Sequence, residues 1–184
     1  MVTFGPRRRN ITIAVAAGSH VDCRIPFDAQ MQGAYGLTVA LRGKGASVSI
    51  RGGGVVSGHQ QLKLTVDTVH EAPDTKGSTI LRTVLKDAAQ FDFLGTIRIM
   101  KRAQKSQDFL EQRSLLLDDS ATATSVPALE ILADNVKASH AASVAPIDPE
   151  QLFYLRSRGI PKKAATKLVI EAFLAPALVD GIEK

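Results

Sequence analysis

Leu62-Lys63-Leu64-Thr65-Val66-Asp67 alternates apolar and polar residues with a period of two. Successive side chains of a strand point to opposite faces, so one face of this segment is buried and the other is wet. Segments of the same kind recur on both sides of it. Upstream lie Ser47–Ile50, Leu37–Leu41, and the run in which Ile11, Ile13 and Val15 alternate with Thr12 and Ala14. Downstream lie Ile80–Leu85, then Ile97 and Ile99 alternating with Thr96 and Arg98, then Arg113–Leu117 and Leu129–Ala133. Glycine punctuates the early part, at Gly33, Gly36, Gly43, Gly45, Gly52-Gly53-Gly54 and Gly58. Strand signals return at intervals of roughly 8–18 residues with no long amphipathic helix between them, which excludes a doubly wound βαβ fold. A sandwich, a barrel or a solenoid remains. Leu115-Leu116-Leu117 and the Ala121–Ala123 stretch fit poorly on a strand with one wet face. Stacked turns of a solenoid accommodate both, although no exact sequence period is visible.

The character changes near residue 146. Asp148 is placed as an N-cap, Pro149 at N1, an acid in the first turn and Gln151 at N3. The helix is expected to run through Leu152, Phe153, Tyr154 and Leu155 to Arg156 and Arg158, and to stop at Gly159. A second helix begins near Pro161. Ala164, Ala165, Leu168, Val169, Ala172 and Phe173 form its expected apolar stripe, opposite Lys163 and Lys167, and Pro176 ends or kinks it. A polar tail closes the chain.

The whole chain has 184 residues, of which 45% are hydrophobic and 22% charged, an ordinary globular composition. The formal net charge of +5 sits in residues 1–60, and residues 61–184 are neutral. The basic residues are scattered except for Arg7, Arg8 and Arg9, and there is no Trp. A nucleic-acid binder concentrates its cations into a stripe, so nucleic acid is not an expected partner. No apolar run reaches the roughly 18 residues that cross a bilayer as a helix, so no membrane partner is expected. Pro6-Arg7-Arg8-Arg9-Asn10-Ile11 has the outline of a twin-arginine export signal, but the short run after it alternates and reads as a strand. The single cysteine, Cys23, excludes an internal disulfide and suits a reducing cytoplasm. It reads as a small hydrophobe.

Catalytic motifs are missing. Gly43-Lys44 is followed by Gly45, so there is no P-loop, and neither a GxSxG elbow nor HExxH occurs. Nothing in the spacing brings Ser, His and Asp together. Asp118-Asp119 reads as a turn after Leu117, because adjacent strand residues face opposite ways and make no glycosidase pair. His140, at the junction of strands and helices, is the titratable residue of most interest. It is either a packing histidine or a metal or sulfur-chemistry group.

Val126-Pro127-Ala128-Leu129-Glu130-Ile131-Leu132-Ala133-Asp134-Asn135-Val136-Lys137-Ala138-Ser139-His140 closely resembles a signature of the SufB/SufD family, the scaffold subunits of the SUF iron–sulfur cluster assembly machine. Ile147-Asp148 and the segment from Leu152 to Ile160 resemble the stretch that follows it. So do the helix from Ala164 to Phe173, Gln112–Leu117, Phe93-Leu94-Gly95 and His70 to Ser78. The resemblance covers roughly residues 35–175. It implies a mainly β fold, a right-handed parallel β-helix with a small C-terminal helical segment. Residues 1–34 become an N-terminal cap or first strands, 35–145 the β-helix core and 146–184 the helical segment. The chain reads as beginning inside the family's β-helix, as a fragment, a minimal member or a decayed paralogue.

The resemblance further implies a cytoplasmic, non-enzymatic scaffold. A SufC-type ABC ATPase would dock on the helical segment, with Phe153, Tyr154, Arg156 and Arg158 as candidate contacts. A SufB-type chain, or a second copy, would pair through the β-helix end. His140 would lie near that seam as a candidate ligand of a transient iron–sulfur cluster. The family's cysteine before Ser-His is Ala138 here, which makes the chain look SufD-like. The alternatives are a structural or regulatory paralogue that homodimerises without handling a cluster, and a β-helical hydrolase.

Overall fold

The computed structural model describes residues 9–29 and 31–178. Arg7, Arg8 and the polar tail after residue 178 lie outside the described residues. Among the described residues ten strands precede two helices: β1 (Asn10–Val15), β2 (His20–Phe27), β3 (Gly33–Leu41), β4 (Ser47–Val56), β5 (Gln61–His70), β6 (Lys76–Leu85), β7 (Gln90–Ile99), β8 (Gln107–Leu116), β9 (Thr122–Ile131), β10 (Lys137–Pro146), α1 (Pro149–Ser157) and α2 (Lys162–Leu178).

Odd-numbered strands form one sheet, in the order β1-β3-β5-β7-β9, and even-numbered strands form the other, β10-β8-β6-β4-β2. Every neighbouring pair is parallel. The chain therefore lays one odd and one even strand per turn and winds five turns of a parallel β-solenoid. Residues 10–27 make the first of them.

Turn length explains why no period shows in the sequence. The step from Asn10 to its register partner Gly36 is shorter than the step from Gln90 to Thr122, so turns early and late in the chain differ in length. The geometry repeats where the sequence does not. Gly18, Gly45, Asp74 and Lys105 adopt positive φ angles of 65°, 70°, 59° and 63°. Each marks the same corner of successive turns, and the amide of each donates to a carbonyl of the next turn: Lys44, Pro73, Gln104 and Asn135. Only two of these left-handed residues are glycines, so a glycine search finds half of the ladder.

Inward-facing side chains stack in register. One ladder runs Ile11, Leu37, Val66 and Gly95, and another runs Cys23, Ile50, Thr79, Leu110 and His140. The core they build is mostly apolar. Cys23 belongs to it at 1% exposure, and burial, with the charge of Asp22, pushes its thiol up to about 11. It is an inert hydrophobe, in keeping with its sequence context.

The helices cover part of the outer face of the even sheet. Val84, Leu115 and Leu174 form a second apolar cluster there, flanked by Leu117, Ile147, Val169, Ile170 and Phe173. This accounts for Leu115-Leu116-Leu117: Leu116 packs against the solenoid core, while Leu115 and Leu117 lie under α2. The buried face of α2 is rotated from the expected one. Ala165, Leu174 and Ala177 are buried and Val169, Ile170 and Phe173 partly so, whereas Ala164, Leu168 and Ala172 are exposed. Ile170 and Leu174 offer more apolar area than the alanines, so they turn the helix. Pro176 does not end α2, which continues to Leu178. The start of α1 follows the expectation, with the Asp148 carboxylate accepting from the Glu150 amide at 2.8 Å.

Candidate functional site

The last turn of the solenoid differs from the others. β9 pairs only with β7 and β10 only with β8, so the far edge of each strand is free among the described residues, as it is for β1 and β2 in the first turn; the difference lies in the side chains. The side chains at its inward register positions have no further turn stacked on them. Leu129, Ile131 and Val144 are 38%, 39% and 40% exposed, against 1–4% for Ile11, Val15, Cys23, Ile25 and Phe27 in the first turn. The core side chains are buried at the first turn, whereas at the last they form an apolar platform bounded by two unpaired strand edges. Such an edge is a template for pairing with another chain.

His140 stands on this platform. It occupies the inward register position next to Leu110, yet it is exposed because no strand stacks on it. Ala138, two residues earlier, lies beside Asp108 and packs against the core. Among the described residues no three His, Cys, Asp or Glu side chains converge into a metal site. His140 is thus a single exposed imidazole at an open end.

Phe153, Tyr154, Arg156 and Arg158 are on or beside α1, which packs on α2. α1 buries no residue, and Phe153 and Tyr154 are 73% and 58% exposed. The Arg158 guanidinium lies over the Tyr154 ring, 5.3 Å from its centroid. Leu152 and Leu155 face inward and are half-buried. The outward face of α1 thus combines aromatic surface with two cations.

Three polar constellations escaped the sequence reading. His20, Ser47 and Asp22 meet on the outer face of the even sheet, His20 Nδ1 2.8 Å from Ser47 Oγ and Nε2 3.2 Å from Asp22 Oδ1. Strand geometry brings them together: Asp22 is two residues on along the same face, and Ser47 is the register partner of His20. They edge an open groove of about 1120 Å³. Both His20 and Asp22 are more than half exposed, so water competes for each contact.

The second constellation is buried. His70 and Asp108 are in contact at 2.9 Å with neither side chain exposed, and Thr75 and Ser106 complete the group. The only trace of it in the sequence was the likeness of His70 to Ser78 to the SufB/SufD pattern.

The third lies under the helices. Glu111 accepts from Arg82 at 2.5 Å and contacts Arg113 at 2.8 Å. Burial pushes the Arg82 guanidinium down, and Glu111 opposes that shift. Arg82 also lies 5.6 Å from the Phe173 ring centroid on α2.

The model of the SufBD core domain of the SUF iron–sulfur cluster assembly system matches residues 10–173. The chain belongs to the SufBD family. It is 40% identical over 131 residues to the iron–sulfur cluster assembly protein SufD of Bacillus subtilis, covering 69% of this chain and 30% of that protein. It is 31% identical over 147 residues to the SufB protein of the same organism, covering 79% of this chain and 29% of that one. A SufBD family protein of Staphylococcus saprophyticus is 29% identical over 162 residues, covering 86% and 32%. The chain spans about three tenths of the length of the curated relatives it matches. The SufBD match begins at residue 10, so the first two strands belong to the family core as well.

Proposed function

We propose that this SufBD chain is a non-enzymatic, cytoplasmic, SufD-like scaffold subunit in iron–sulfur cluster assembly. The observation that carries the reading is the open last turn, with unpaired edges on β9 and β10, an apolar platform and an exposed His140. A SufB-type subunit or an identical chain pairs there by edge-to-edge strand addition and covers Leu129, Ile131 and Val144. His140 contributes one imidazole to a nascent cluster at the seam, and the partner supplies the thiolates, because Ala138 has none to give. The cluster is cargo, held only while the complex exists.

A SufC-type ABC ATPase docks on the exposed face of α1. Phe153 and Tyr154 provide the apolar anchors, and Arg156 and Arg158 the charge complement. No P-loop occurs in this sequence, and in this reading nucleotide hydrolysis belongs to the partner.

The second reading is a structural or regulatory paralogue that homodimerises and handles no cluster. Ala138 favours it, since a methyl group neither ligates iron nor carries sulfur. Co-purification with SufC-type and SufB-type proteins, followed by anaerobic reconstitution with iron and sulfide, separates the two. The scaffold reading expects a ternary complex. Arg156→Glu then breaks ATPase binding, and His140→Ala lowers cluster absorbance while leaving the complex intact. Elution of the chain alone as a homodimer ends the assembly role.

A further inference from the structure

Most of the core is apolar, but a titratable pair is enclosed at one corner between the third and fourth turns. The ladder Val15, Leu41, His70, Ile99 and Ile131 has a histidine in its middle, fully buried. The ladder Val48, Gly77, Asp108 and Ala138 has a carboxylate. A Cβ on Gly77 would overlap the Asp108 carboxylate, so the glycine makes its room.

Hydrogen-bond arithmetic fixes most of the protons. Thr75 Oγ1 donates its single hydrogen to the Ala72 carbonyl at 3.1 Å. His70 Nδ1 and Ser106 Oγ, each 2.7 Å from that oxygen, therefore both donate to it. His70 Nε2 and Asp108 Oδ2 share one further proton across 2.9 Å. Asp108 Oδ1 is buried with no partner. Apolar side chains in place of such a buried pair are often no less stabilising, so what the polar cluster adds is direction: it fixes where its members sit.

Ser106 carries that direction into the last turn. Its carbonyl accepts from the Lys137 amide at 3.0 Å, which anchors the start of β10. The neighbouring corner is tied in the same way, the Asn135 amide donating to Gln104 Oε1 at 3.0 Å and the Asn135 carbonyl accepting from the Lys105 amide at 2.6 Å. Asp108 itself lies beside Ala138 in the register. His140 follows shortly after the anchored amide, on a strand with no described neighbour on its other side.

We propose that the buried cluster of His70, Thr75, Ser106 and Asp108 is a positioning device that fixes the start of β10 and thereby the placement of His140. This rests on the reading of His140 as the seam residue. The cluster touches no cargo and acts through Ser106 and Lys137.

The test is amide hydrogen exchange by mass spectrometry on the isolated full chain. Residues 137–146 are compared with residues 20–27, the strand at the opposite end of the same sheet, and the His140 imidazole is followed by NMR. Asp108→Ala is expected to speed exchange in 137–146 on the order of tenfold, to leave 20–27 unchanged and to move the His140 ring signals. Asp108→Asn can donate to a neutral Nε2 and keep the geometry, so it is expected to stay within about twofold of the wild type. Thr75→Val, nearly isosteric, serves if Asp108→Ala fails to fold. Unchanged exchange in 137–146, or an equal rise in 20–27, overturns the proposal. Because these readouts need no partner and no cluster, a failed ternary complex sinks the scaffold reading and leaves the positioning role standing.

Discussion

Cys23 shows what a fully enclosed position does to a reactive side chain. Its thiol is held in the core beside Ile50 and titrates at about 11, against 9.0 for a free thiol. Between those two values the folded state binds the proton that the unfolded chain has lost. Its contribution to stability is therefore complete below pH 9 and declines as pH rises toward 11. Thermal melts of the wild type and Cys23→Ala across pH 8 to 11 read this out. The wild-type midpoint is expected to fall faster than that of the variant, and parallel curves would refute the assignment. A thiol reagent at pH 8 is expected to label Cys23 only after denaturant is added. His140 stands at the opposite end of the same ladder and has the opposite environment. Position along the solenoid makes the difference, since the core side chains of the first turn are buried and those of the last are exposed.

At the scale of elements, α2 is held to the even sheet along one face. Its three buried side chains, the Arg82–Phe173 contact and the Arg51 guanidinium donating to the Pro176 carbonyl at 2.9 Å join it to the even sheet. Leu174 is the largest buried side chain on the helix. Leu174→Ala is expected to cost about 2–4 kcal/mol at this contact. The solenoid has its own core and should survive the loss. Hydrogen exchange should accelerate across 162–178 while 61–70 stays protected, and helical circular dichroism should melt before the strand signal. A single cooperative transition in the variant would mean that the helices and the solenoid fold as one unit.

For the whole molecule, the decisive property is the difference between its two ends. A solenoid with exposed apolar side chains at both ends can polymerise head to tail, whereas one that exposes them at a single end favours a closed pair. Val144→Glu places a charge on the open platform, where water reaches it in the lone chain but a docked partner would bury it. The fold is expected to be unaffected, while association with a second copy or with a SufB-type subunit is lost. Sedimentation of the variant as a monomer, with an unchanged melting temperature, is the expected result. Retained association would move the interface elsewhere. The same open strand edges are where a lone chain would aggregate.

The strand pattern was legible in the sequence because side-chain alternation is local: Leu62, Leu64 and Val66 declare their face without help from the rest of the chain. The helix start at Asp148-Pro149 and its stop at Gly159 were legible for the same reason, since capping is a matter of a few adjacent residues. The long match from Val126 to His140 identified the family. Other features needed tertiary structure. The corner ladder was hidden because Asp74 and Lys105 do in two turns what Gly18 and Gly45 do in others. The rotation of α2 was set by the outer face of the even sheet, which no helical period encodes. His70 and Asp108 are distant in sequence and meet only because parallel turns stack. His140 stood out in the sequence, but its exposure depends on there being no described strand beyond β10, and exposure is a property of stacking, not of residue type. Alternation and capping act over a few residues and survive in one dimension. Burial, pairing and free edges are set by which turn lies next to which, and only the wound chain decides that.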